Sequence, residues 1–140
     1  MKINRLTLFI CIAFIFVLSC EYKDTSITTI IKSGTYKGQF IRNNPYIYSP
    51  NYNIVANVTL VFNGNKFSGE SDKAKYPAIC NGTFNTTGQE INFENLCVWT
   101  ADFDWSIILA GKYQIKVDGN KLSITRPTGD STDIYNLVLQ

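Results

Sequence analysis

The chain has 140 residues, 45% of them hydrophobic, which is enough for one packed core and too many for a disordered chain. Thirteen basic residues against eleven acidic ones leave a formal charge of +2. There is no histidine, which excludes Ser-His-Asp and Cys-His catalytic arrangements and removes the commonest metal ligand.

The first element is an address. Lys2 and Arg5 precede residues 6–18, which are apolar except for Thr7. A membrane-spanning helix needs about 20 apolar residues, so this shorter run has the form of a secretory signal. It ends in Val17-Leu18-Ser19-Cys20, and a cysteine directly after the apolar core and a small residue resembles the bacterial lipobox. That resemblance implies that residues 1–19 are a lipoprotein signal peptide and that Cys20, as the first mature residue, carries the acyl chains. An ordinary signal peptide with an incidental cysteine is the alternative. Cleavage removes two of the thirteen basic residues, Lys2 and Arg5, and the remaining eleven balance the eleven acids. A neutral mature chain without clustered basic residues along its sequence carries no electrostatic footprint for nucleic acid. Residues 20–33 are polar and β-branched and read as a lipidated tether between membrane and domain.

From residue 34 onward, turn signals recur at the spacing of an all-β domain. Residues 34–41 alternate, with Tyr36, Gly38 and Phe40 on one face. Residues 42–53 form a loop with two prolines and three tyrosines. Residues 54–62 put Ile54, Ala56, Val58, Leu60 and Phe62 on one face of a half-buried strand. Asn63-Gly64-Asn65 is a hairpin turn into a short strand at 66–71. After a loop at 72–78, residues 79–86 pair with 90–95 across Thr87-Gly88-Gln89. Residues 96–104 break the alternation and suggest a corner or a short helical turn. Residues 105–117 read as one long strand with a bend or bulge at Ala110-Gly111. Asp118-Gly119-Asn120 turns into a strand at 121–126, residues 127–132 turn again, and 133–139 close the domain with Tyr135, Leu137 and Leu139 on one face. About eight sequential antiparallel strands, apolar on one face, must close or stack. The expected fold is all-β, a single antiparallel barrel or half-barrel over residues 34–140, with a β-sandwich as the alternative.

Gly34-Thr35-Tyr36 opening the first strand resembles the G-x-W opening of the lipocalin family, with tyrosine in place of tryptophan. Phe67-Ser68-Gly69, Gly82-Thr83-Phe84 with Ile91-Asn92-Phe93, Leu109 to Tyr113, and Tyr135-Asn136-Leu137 are similar to small lipocalin-like lipoproteins of Bacteroidetes-type bacteria. Residues 133–140 contain no arginine to stack on the first strand's aromatic residue, as that family expects. Cys80-Asn81-Gly82 with Cys97 is also similar to the META-type heat-shock lipoprotein domain. Neither resemblance implies a catalytic residue. The expected localisation is the bacterial envelope, with the protein lipid-anchored to a membrane, the outer one by preference, and the domain in the periplasm or at the cell surface.

Of four cysteines, Cys11 lies in the leader and Cys20 is the lipid site. Cys80 and Cys97 remain, most simply as a disulfide in an oxidising compartment, with two buried thiols as the alternative. No metal site and no cofactor are expected. The densest candidate for ligand binding is Trp99, Asp102, Phe103 and Trp105. Strand alternation would put Asp102 and Asp104 on one face and Phe103 and Trp105 on the other. Such a cluster at a barrel mouth could stack on a glycan or small apolar ligand while the carboxylates orient hydroxyls. Alternatively, the aromatics close one end of the core and the aspartates make turns or caps. Tyr46, Tyr48 and Tyr52 form a second candidate, suited to a contact surface. A glycosidase pair from Asp102 and Asp104, perhaps joined by Glu94, needs a carboxyl spacing that sequence proximity does not establish, so no enzymatic activity is expected. The functional expectation is a ligand-binding barrel held at the membrane, or an interaction module for an envelope protein partner.

Overall fold

The structure is a computed structural model and describes residues 29–45 and 55–140. Eight strands follow in order: β1 (Gly34–Asn43), β2 (Val55–Asn63), β3 (Lys66–Ser71), β4 (Asn81–Thr87), β5 (Glu90–Asn95), β6 (Gly111–Asp118), β7 (Lys121–Thr128) and β8 (Ser131–Leu139). Each pairs antiparallel with the next, and β8 pairs back onto β1, so the sheet closes into a barrel. Closure leaves no free edge and excludes both the half-barrel and the sandwich.

Alternation decides what fills it. Tyr36 and Phe40 of β1, Val58, Leu60 and Phe62 of β2, and Phe67 of β3 point inward. So do Ile91 and Phe93 of β5, Tyr113 and Ile115 of β6, Leu122 and Ile124 of β7, and Tyr135 and Leu137 of β8. The aromatic rings contact one another along the axis. Phe62 meets Tyr36 at 5.5 Å, Phe93 meets Phe67 at 4.9 Å and Tyr113 at 5.7 Å, and Tyr135 meets Phe40 at 4.7 Å, most of them edge-on. Gly38 takes an inward position in β1 where a side chain has no room: a Cβ there would lie 1.9 Å from the carbonyl oxygen of Asn136. Its bareness lets β1 bend tightly around the barrel.

The hairpin turns fall where Gly64, Gly88 and Gly119 stand, as expected. The turn between β7 and β8 is tighter than expected, because β7 runs to Thr128 and β8 starts at Ser131. The larger departure lies before β6. The expected long strand from residue 105 begins only at Gly111, and Trp105–Ile107 is a single 3₁₀ turn. The Asp104 carboxylate accepts from the Ser106 amide at 2.8 Å and caps that turn. Ile107 and Leu109 are then buried together, and Ala78 bonds to both, its amide to Ile107 and its carbonyl to Leu109. The apolar run thus closes one end of the barrel instead of extending its wall.

The opposite end is crossed by residues 29–33. Thr29 donates to the Gly88 carbonyl at 3.0 Å, Lys32 reaches Asn120 at 3.4 Å, and the Ser33 hydroxyl accepts from Gly64 at 3.3 Å. The chain from the N-terminus therefore enters over the β2–β3, β4–β5 and β6–β7 turns. The connections at 44–54, 72–80, 96–110 and 129–130 root at the far, or distal, end.

Candidate functional site

The distal end is built from two connections, residues 72–80 and 96–110, tied at their roots. Cys80 precedes β4 and Cys97 follows β5, and the two form a disulfide with Cα atoms 6.3 Å apart. Beyond it, residues 98–104 fold around Lys75. The Lys75 ammonium bonds Asp102 at 2.7 Å and Thr100 at 3.0 Å, and lies 5.2 Å from the centre of the Phe103 ring. Thr100 also donates to Asp102. Lys75 first, then Thr100, hold the Asp102 carboxyl down to about 2. Trp99 packs edge-on to Phe103 at 5.6 Å, and its indole donates to Asn95 at 3.2 Å.

The structure thus gathers Trp99, Asp102 and Phe103 into one cluster. Trp105 joins it by donating its indole N–H to the Thr100 carbonyl at 2.9 Å, while 56% of the residue stays exposed. Asp104 does not share a face with Asp102, because the segment is not a strand. It turns toward Arg42, 3.0 Å away. The apolar residues on the surface here are Leu96, 68% exposed, Val98, 97% exposed, and Trp105. Tyr46, Tyr48 and Tyr52, like Cys20, lie outside the described residues; the connection that carries the tyrosines is rooted at this end, at Asn43 and Val55.

Beneath residues 104–110 sits a group that the sequence reading missed. Asp133 of β8 is 1% exposed and pairs in register with Arg42 of β1 on one side and Arg126 of β7 on the other. Arg42 donates to both carboxylate oxygens, at 2.6 and 2.9 Å, and Arg126 donates to one at 3.1 Å. Both guanidiniums then reach the cap. Arg42 bonds Asp104, the Ser106 hydroxyl and the Ser106 carbonyl. Arg126 bonds the same carbonyl at 2.7 Å and that of Ala110 at 2.8 Å, and stacks 4.4 Å over the Tyr113 ring. The stacking arginine therefore comes from β7 and lies on β6's tyrosine. The hydrogen bond to Asp133 raises the Arg42 pKa, and Ser106 with Arg42 lowers that of Asp104. A signal was present: the inward positions of three strands run Tyr36, Gly38, Phe40, Arg42; Leu122, Ile124, Arg126; and Leu137, Tyr135, Asp133. Each apolar series ends in a charge at the same end.

Every carboxylate of this end named above is held by a cation, so the arrangement fixes geometry. No group of three or more Cys, Asp or Glu able to hold a metal occurs among the described residues. Several grooves lined by described residues open on the outer wall, among them one of about 570 Å³ over β1–β3 and one of about 380 Å³ over β6–β8. What the fold and this end define is a class: a closed antiparallel barrel with a side-chain-filled interior and one stapled, apolar-tipped cap. Comparison with protein families, with curated proteins and with solved structures finds no match to this chain.

Proposed function

We propose that this protein is a lipid-anchored, non-enzymatic binding module of the bacterial envelope that engages a protein partner through its distal end. The observation that carries this reading is the exposure of Leu96, Val98 and Trp105 on a segment that is otherwise pinned. The disulfide holds its start and the Arg42–Asp133–Arg126 group holds its end. Apolar side chains displayed on a pre-ordered backbone lose little entropy on docking. The interior packing favours an outer contact over a ligand held within the barrel, because aromatic rings occupy the axis. The disulfide suits an oxidising compartment, in keeping with export and an anchor at Cys20. The sequential barrel order is also what the lipocalin-like resemblance implies.

A photoreactive residue placed at Val98 or Trp105 in the native cell should give a discrete cross-linked protein, and one at Asn92 on the barrel wall should not. Absence of an adduct at both positions refutes the proposal. Palmitate labelling that disappears in Cys20→Ala tests the anchor. A second reading, a small apolar or glycan ligand at the same end, draws on the fixed, half-exposed indole of Trp105 with Asp104 beside it. Quenching of tryptophan fluorescence by an oligosaccharide or lipid, lost in Trp105→Ala, would favour it.

A further inference from the structure

Strand register sets Lys37 of β1 and Lys121 of β7 on either side of Val138 of β8, all facing outward. Neighbouring strands lie about 4.8 Å apart, so the two lysines rise about 10 Å from each other around a valine. That valine is 43% exposed. Lys116 borders the same groove, and Lys32 reaches across the β6–β7 turn to Asn120. None of these four lysines forms an ion pair among the described residues. The groove holds one carboxylate, Asp118. Glu70 of β3 stands two strands from Lys37, across Thr59, and shares a groove with it, while Glu90 and Glu94 of β5 lie on the far wall beside Lys112 of β6. The four lysines outnumber the acids that border them, Asp118 on one side and Glu70 and Asp72 on the other.

The basic flank lies toward the end crossed by residues 29–33, where Ile30 is 78% exposed. The stretch from Cys20 to Thr29 reaches at most about 30 Å when extended. The surface that holds Cys20 is therefore within about 30 Å of Thr29, at the end of the barrel toward which these lysines lie.

We propose that the flank formed by Lys32, Lys37, Lys116 and Lys121 around Val138 docks on an anionic phospholipid surface. The lysines meet lipid phosphates, and Ile30 and Val138 meet the interfacial region. Nearness to the membrane rests on the anchored reading; the chemistry of the flank does not. Each lysine near an anionic bilayer contributes about fivefold in partitioning. Docking of this kind tilts the barrel so that the distal cap points away from the membrane.

The test uses the full chain on phosphatidylcholine vesicles with and without phosphatidylglycerol, with lysine accessibility read by amine labelling and mass spectrometry. On phosphatidylglycerol at low salt, labelling of Lys37, Lys116 and Lys121 should slow by about fivefold or more, while Lys73 at the distal end is unchanged. High salt should abolish the protection. In the exposed-site variant Lys37→Gln/Lys116→Gln/Lys121→Gln, protection of the remaining Lys32 should disappear. Equal labelling on the two vesicle types overturns the proposal, as does Lys32 protection that survives the triple substitution. If the chain stays on phosphatidylcholine yet labels equally on both, docking fails and the anchor stands. If palmitate labelling is absent but phosphatidylglycerol still protects the lysines, the anchor fails and docking stands.

Discussion

Replacing Asp133 by Asn removes the one negative charge that Arg42 and Arg126 share while keeping its volume. In the native protein the Asp133 side chain is 1% exposed, and those of Arg42 and Arg126 are 16% and 21% exposed. Breaking a buried ion pair by deleting one partner costs about 3–5 kcal/mol, because the remaining charge is left uncompensated. Here the low end applies. Both guanidiniums keep some water and retain the Ser106 carbonyl, and Arg126 keeps that of Ala110. The expected loss is therefore about 3 kcal/mol, and for a domain of this size each kcal/mol moves Tm by about 4 °C, or about 12 °C in all. Urea unfolding followed by circular dichroism measures the first and a thermal scan the second. Asp104→Asn is the internal control: Asp104 bonds the same Arg42 but is 59% exposed, and should cost under about 1 kcal/mol. Replacing the whole group with Arg42→Met/Arg126→Met/Asp133→Leu should leave global stability near native, since apolar residues can fill the site. It should also speed amide exchange at residues 104–110, whose carbonyl partners are lost. If Asp133→Asn proves as mild as Asp104→Asn, the clasp is no stronger than a surface pair and the reasoning fails.

Phe93 touches Phe62, Phe67, Phe84 and Tyr113, so Phe93→Ala should cost about 3–5 kcal/mol, and a loss below about 1 kcal/mol in chemical denaturation would contradict a filled interior. Cys80→Ser/Cys97→Ser opens a loop with a sequence separation of 17, worth roughly 3 kcal/mol of denatured-state entropy, and should show the largest rise in amide exchange at residues 96–100. Burial raises the Tyr113 and Tyr135 hydroxyl pKa values above the ordinary 10.0, so the native state favours their neutral form. Their contribution to stability is complete below pH 10 and declines above it, and ultraviolet titration should show both ionising only as the barrel unfolds. Asp102 shows the opposite sign: its pKa is held down from 3.8 to about 2, so its contribution is complete above pH 3.8 and is lost toward pH 2. Lys75→Ala should move its NMR titration midpoint back toward 3.8, and an unmoved midpoint would show that Lys75 does not hold it.

The sequence alone determined whatever depends on neighbours along the chain. Two-residue alternation marked the inward faces of β1, β2 and β8, because successive side chains of an extended backbone must point to opposite sides. Asn63-Gly64-Asn65 and Asp118-Gly119-Asn120 marked hairpins, because those residues accept positive φ. The pairing of Cys80 with Cys97 was legible once the leader's cysteines were set aside. The run at 105–110 was misread because Ile107, Ile108 and Leu109 suit a buried strand as well as a buried plug. Only the docking of Ala78 against Ile107 and Leu109 tells the two apart. Closure of the barrel, the meeting of Arg42 with Asp133 across 91 residues of chain, and the grouping of Lys37 and Lys121 around Val138 were decided by tertiary structure. Each depends on which strand lies beside which and in what register. That is set by how side chains from all eight strands share one interior, and no local window of residues contains it.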